Sequence, residues 1–239
     1  LHGGNFSTWQ SRKRDVALPE SVAINVGAEG GLFSVFNSYG TATVKGALTV
    51  KDGGTFHLDL GTVSFANVTN MAGSTFTLDV ATAAPSFTGI LHNDGTIAQN
   101  IGTINYTTNA VVTGSGTIEM TGGTASLGAD ASAFAGTLRL IDGTLSATGL
   151  GSFANSTVID VSTRTDTFNV TGKNWNVAPA GSTVKVDLGE RRVGGGLKVL
   201  AWDAAPVGVK FASANGMPYT FIAKEDGLYA YSGLMIILK

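Results

Sequence analysis

The sequence contains no cysteine, which excludes disulfides, thiolate metal sites and thiol catalysis. Charged residues make up only 13% of the 239, about half the usual share, and helix-favouring glutamate, lysine and glutamine are scarce. The 15 lysines and arginines nearly balance the 17 aspartates and glutamates, so there is no basic footprint for nucleic acid and no nucleic-acid partner is expected. No apolar run approaches the roughly 18 residues of a membrane-spanning helix. The longest, Leu234 to Leu238, is strand-sized. A nucleophile elbow, a P-loop and a His-Glu-x-x-His pair are all missing, and no enzyme activity, cofactor or metal is expected.

What is present is threonine, valine, alanine, serine and glycine, the last at about twice its usual frequency but without the triplet period of collagen. Two threonine ladders run through the chain. One is Thr55, Thr75, Thr96, Thr117, Thr137, Thr157, in steps of 20 or 21; the other is Thr62, Thr82, Thr103, Thr124, Thr144, offset by seven. Short apolar strands and glycine turns at such a period are the signature of a solenoid.

Alternation within the repeat assigns the faces. In Thr55-Phe56-His57-Leu58-Asp59-Leu60 and Thr75-Phe76-Thr77-Leu78-Asp79-Val80 every second side chain is apolar, the period of a strand with one buried face. Stacking later coils in phase puts Ile97, Ile118, Leu138 and Val158 in line with Phe56 and Phe76. A second strand supplies Val63, Phe65, Ile104, Tyr106, Leu127 and Leu145. A third, less regular one supplies Val68, Phe87, Val111, Phe134 and Leu150. The expected fold is all-β: a triangular parallel β-helix of about 20 residues per coil, about seven coils tall, closed by a C-terminal antiparallel β cap. Glycines at Gly73, Gly95, Gly116 and Gly136 are expected to serve corners that need positive φ.

Three regions follow: an N-terminal arm (1–17), a β-solenoid (18–171) and a C-terminal cap region (172–239). In the last, Leu197–Trp202, Val207–Phe211, Tyr219–Ala223 and Leu228–Leu238 read as strands, with Lys224-Glu225-Asp226-Gly227 as a hairpin turn.

The stretch Ala131-Ser132-Ala133-Phe134-Ala135-Gly136-Thr137-Leu138-Arg139-Leu140-Ile141-Asp142-Gly143-Thr144-Leu145 resembles the autotransporter-associated β-strand repeat of bacterial surface proteins. Degenerate copies occur at Gly95–Ile104 and Gly116–Thr124. The resemblance implies a secreted or surface-displayed β-helical passenger, although the long membrane barrel that exports such passengers does not occur in this sequence. The chain opens on Leu1 without a charged-then-apolar leader, which is read as the processed product of an exported precursor, located outside the cell or at its surface.

Candidate sites are few. Asp59 and Asp79, one coil apart with His57 beside them, have the spacing of paired carboxylates or of an ion site, but read as an exposed acidic patch. Glu119 and Arg139 are expected to form an exposed cross-coil ion pair. His92, beside Asn93-Asp94-Gly95, reads as a turn residue, and Trp175, Trp202 and Tyr219 as core or cap packing rather than a sugar platform. In the arm, Phe6 and Trp9 are the only large apolar anchors, and are the residues expected to carry assembly: the arm adds a strand to an open sheet edge of a neighbouring copy, or else Trp9 folds back onto its own first coil as a cap. The expected function is a self-assembling structural subunit of a bacterial surface filament or layer. An adhesin or glycan-binding module is the alternative, with glycans as its partners, and a carbohydrate-active enzyme centred on Asp59 and Asp79 the third.

Overall fold

The computed structural model describes residues 4–8, 16–35, 41–60, 62–79, 85–107, 109–146, 157–164, 166–171, 181, 183–191, 193 and 195–232. Its strands stack in parallel as a β-solenoid of about six turns, roughly 21 residues each, and no helix occurs among the described residues.

Each turn lays strands on three faces. On the first face Thr55–Leu60, Thr75–Leu78 and Thr96–Gln99 stack in register, followed by residues 117–120 and 137–140, so that Phe56, Phe76, Ile97, Ile118 and Leu138 form one interior column. On the second face residues 62–65, Ser86–Phe87, Thr103–Tyr106, 124–127 and 144–146 stack in turn. On the third, Ile24–Val26 is followed by residues 47–50 and 67–70, then by Ile90–Asn93, Val111–Gly114 and Asp130–Phe134. Alternation produces this directly: in Thr75–Leu78 the two threonines touch solvent while Phe76 and Leu78 are buried. The interior aromatics stack across coils, Phe56 on Phe76 at 4.6 Å between centroids and Phe87 on Tyr106 at 5.2 Å.

Several expected positions move. Leu138 lies opposite Ile159, not Val158, because the step into that coil is one residue longer; Ile159 is buried and Val158 half-buried. Phe87 belongs to the second face, held between Phe65 and Tyr106. On the third face Val112 points inward and Val111 outward; in a Val-Val pair alternation alone does not choose, and Leu91 beneath Val112 sets the phase. Leu150 lies outside the described residues.

The corner glycines are required for a different reason from the one expected. Gly73 does take a positive φ of 76°. At Gly95, Gly116 and Gly136 the constraint is the coil below: an added Cβ would sit 2.3 Å from the Ser74 carbonyl oxygen, 2.2 Å from that of Gly95 and 2.0 Å from that of Gly116. A column of glycine lets successive corners nest at the coil spacing.

Parallel stacking continues beyond the span of the threonine ladders. At the N-terminal end Gly4–Thr8 pairs with Gly31–Val35, Phe6 opposite Phe33, and Val16–Leu18 pairs with residues 42–44. At the other end Val158–Asp160 is followed by Thr183–Asp187 and Lys210–Ser213, and Phe168–Thr171 by Leu197–Trp202. Longer connections there, with Val158 opposite Lys185 and Phe168 opposite Leu200, hide the period in the sequence. The antiparallel cap is a hairpin of Tyr219–Lys224 and Gly227–Ser232, whose second strand covers the free edge of Leu197–Trp202.

Candidate functional site

Outward side chains two residues apart along a strand and one coil apart across it form small polar clusters on the rod. On the first face Glu119, Arg139 and Asp160 occupy successive coils: Arg139 donates from Nη1 to Glu119 Oε2 at 3.1 Å and from Nε to Asp160 Oδ2 at 2.8 Å. The Glu119–Arg139 pair was legible in the sequence. Asp160 was not, because the coil slips by one residue before it. Burial pushes the Asp160 carboxyl up, but hydrogen bonds from Ser162 and Arg139 outweigh it and hold it below the usual range.

Of the acidic patch, Asp79 takes His57 as its partner, Nε2 to Oδ2 at 2.6 Å, and accepts a second bond from Asn100. Asp59 lies in the strand Thr55–Leu60. Among the described residues no group of three or more histidines and carboxylates is placed to hold a metal ion.

His92 is not in a turn. It lies on the third-face strand Ile90–Asn93, opposite Thr113 of the next coil. Its Nδ1 is 2.9 Å from Thr113 Oγ1 and its Nε2 2.8 Å from Asp94 Oδ2. Asp94 Oδ1 accepts from the Ser115 amide at 2.9 Å and from its hydroxyl at 3.0 Å, and the amide bond above all holds the Asp94 carboxyl below the usual range. Sequence reasoning missed this group because its members are 2 and 21 positions from the histidine. The coil period is the signal that would have joined them.

The aromatic residues of the C-terminal region are occupied structurally. Trp202 is buried on Phe211 and donates its indole N–H to the Lys224 carbonyl; Tyr219 donates to the Arg191 carbonyl at 2.6 Å. Beside the cap, Thr144, Asn169, Lys198, Asp203 and Asp226 line a groove of about 360 Å³, with Lys198 Nζ bonded to Asp226 at 2.7 Å. Trp9 and Trp175 lie outside the described residues. Phe6 is in a strand that pairs within its own chain.

The two ends of the solenoid differ. The N-terminal rung consists of Gly4–Thr8, Val16–Leu18 and Ile24–Val26, and each pairs on one side only among the described residues. None of these strands carries a charge or a proline. At the opposite end the second-face edge is closed by the hairpin, and the strands left paired on one side among the described residues, Asp130–Phe134, Lys210–Ser213 and Tyr219–Lys224, each carry a charged residue. No family model, curated protein or solved structure matches this chain.

Proposed function

We propose that the chain is a structural β-solenoid of a bacterial cell surface, displayed outside the cell in a filament or layer, and that it associates with copies of itself through its N-terminal rung. The observation that carries this reading is the contrast between the ends. An unpaired sheet edge recruits another strand unless it is shortened, charged or covered. At the C-terminal end a hairpin covers one edge, and the strands left one-sided, Asp130–Phe134, Lys210–Ser213 and Tyr219–Lys224, each carry a charge. The N-terminal strands have neither charge nor proline. The resemblance of 131–145 to a surface-protein repeat points to the same setting.

Sedimentation velocity and electron micrographs of the purified chain test this reading. Assemblies are expected for the unaltered chain. Ala17→Lys with Asn25→Lys, both outward side chains of the open rung, is expected to give a β-rich monomer, while Lys210→Glu at the other end leaves assembly unchanged. A monomer at all concentrations for the unaltered chain, or assembly that survives the double lysine variant, overturns it.

The groove beside the cap favours a second reading, a glycan-binding surface module. Its lining sets hydroxyl, amide and charged groups that suit sugar hydroxyls beside the apolar Val170, Ala201 and Trp202, and its volume falls in the range of small-ligand sites. Glycan-array binding that is lost in Asn169→Ala would support it.

A further inference from the structure

We propose that Thr113, His92 and Asp94 form an acyl-transfer site for small neutral carboxylic esters, with the Thr113 hydroxyl as nucleophile. This is independent of the assembly reading. The hydrogen-bond directions follow from the chemistry of the groups. Asp94 is ionised and can only accept, so the bond at its Oδ2 requires the proton to be on His92 Nε2. In the neutral ring Nδ1 is then the acceptor, and the group facing it is the Thr113 hydroxyl, which donates. Asp94 is itself oriented by the two bonds from Ser115. A hydroxyl, a base and a carboxylate that fixes the base's tautomer stand in sequence, the arrangement that activates an alcohol nucleophile.

The surroundings supply a place for an acyl group. Two residues before His92 and Thr113 on the same outward face, Ile90 and Val111 stack in register at 56% and 38% exposure. They form an uncharged aliphatic ledge next to the hydroxyl. His57 is a natural control: it has a carboxylate partner in Asp79, but no hydroxyl on its ring among the described side chains.

In the reaction Thr113 Oγ attacks the ester carbonyl carbon as its proton passes to His92 Nδ1. The carbon–oxygen bond to the leaving alcohol breaks, and that alcohol departs either with the proton from His92 or, if it is a stable anion, leaves the proton to solvent. The product is the O-acyl ester of Thr113. Attack of water, deprotonated by the same imidazole, releases the carboxylic acid and restores the hydroxyl.

The probe is p-nitrophenyl acetate with the full chain, read by p-nitrophenolate release and by peptide mass spectrometry. An acetyl group is expected on Thr113. Thr113→Val and His92→Ala are each expected to lose about 100-fold of the release rate, the scale of one acid–base contribution, while Thr113→Ser retains activity and His57→Ala releases at the unaltered rate. Circular dichroism identical to that of the unaltered chain assigns the losses to the site, since all three positions are outward. Equal rates in His92→Ala and His57→Ala, or acetyl groups on lysines and none on Thr113, would overturn the proposal.

Discussion

Inside the solenoid, the side-chain amide of Asn70 donates to Oδ1 of Asn93, one coil above it, at 2.8 Å, and both residues are fully buried. Each also donates to a main-chain carbonyl at the start of the first-face strand one coil above the one it leads into, Asn70 to Thr96 and Asn93 to Thr117, both at 3.0 Å. The ladder therefore fastens the third face to the first at a corner where main-chain carbonyls turn inward. It stops at both ends for reasons visible in the register: Val50 lies beneath Asn70 and offers no donor, which leaves Asn70 Oδ1 without a partner among the described residues, and glycine follows Thr113 in the coil above. Replacing Asn93 by Ala removes two buried bonds, and leaves the Asn70 amide without its Asn93 acceptor. The expected loss is about 1–3 kcal/mol, the cost of leaving a buried polar group unpaired. Urea unfolding measures it, and an unchanged midpoint would show that the ladder contributes nothing.

Gly116 tests the glycine column. With Gly95 beneath it and Gly136 above, both a new methyl group and the carbonyl it meets are fixed by main chain, so neither can turn aside. Gly116→Ala is expected to destabilise by about 1–3 kcal/mol, as overpacking does. Gly73→Ala meets no atom within 4 Å and is strained only by its positive φ. Thermal melts of the two variants side by side separate close approach from backbone conformation.

The regular middle of the fold was legible because composition, period and alternation agree there. Phe56, Phe76, Ile97, Ile118 and Leu138 form the column read from the threonine phase. Legibility fails where a connection changes length. One extra residue before Val158 moved Ile159 into its place, and the long connections to Thr183–Asp187 and Leu197–Trp202 hid that these strands continue the parallel stack. The polar clusters were harder still. A hydroxyl next to His92 in space is a coil away in sequence, and nothing local marks Thr113 among so many threonines.

Phe76 anchors the interior aromatic column between Phe56, Phe65 and Phe87. Truncation to Ala leaves a cavity that the stacked backbones above and below cannot close, and the expected loss is roughly 3–5 kcal/mol. Chemical denaturation checks this. A loss under about 1 kcal/mol, the range of a surface position, would contradict its place in the core.

Tyr106 presents the opposite case. It stacks on Phe87, its hydroxyl is buried without a hydrogen-bond partner among the described residues, and burial pushes that hydroxyl's pKa far up. Nearby, Val112, Ile118, Met120, Ala125 and Leu138 line a small apolar void that offers no polar group to a water. Removing the hydroxyl leaves the ring packing intact and ends the desolvation penalty. Tyr106→Phe is therefore expected to be neutral or to stabilise by up to about 1–3 kcal/mol. A clear loss of stability would mean the hydroxyl has a partner.

The ladder of Glu119, Arg139 and Asp160 sets the acid response of the first face. The folded-state pKa of Asp160 lies below its unfolded value, because the bonds from Ser162 and Arg139 outweigh burial. A depressed carboxyl pKa adds stability above the unfolded pKa, near 3.9 for aspartate, and that stability is lost as pH falls through the folded value. Unfolding free energies followed downward from pH 7 should therefore be level to about pH 5 and decline below it. Asp160→Asn keeps a side chain of the same shape but removes the charge that Arg139 holds. The variant should be less stable than the parent at pH 7, and the gap between them should close toward pH 2–3, where the parent's own carboxyl takes up its proton. Arg139→Met removes the cation and should narrow the same gap at neutral pH, because Asp160 then retains only Ser162. A difference between parent and Asp160→Asn that stays constant from pH 7 to pH 2 would show that ionisation of Asp160 is not linked to folding.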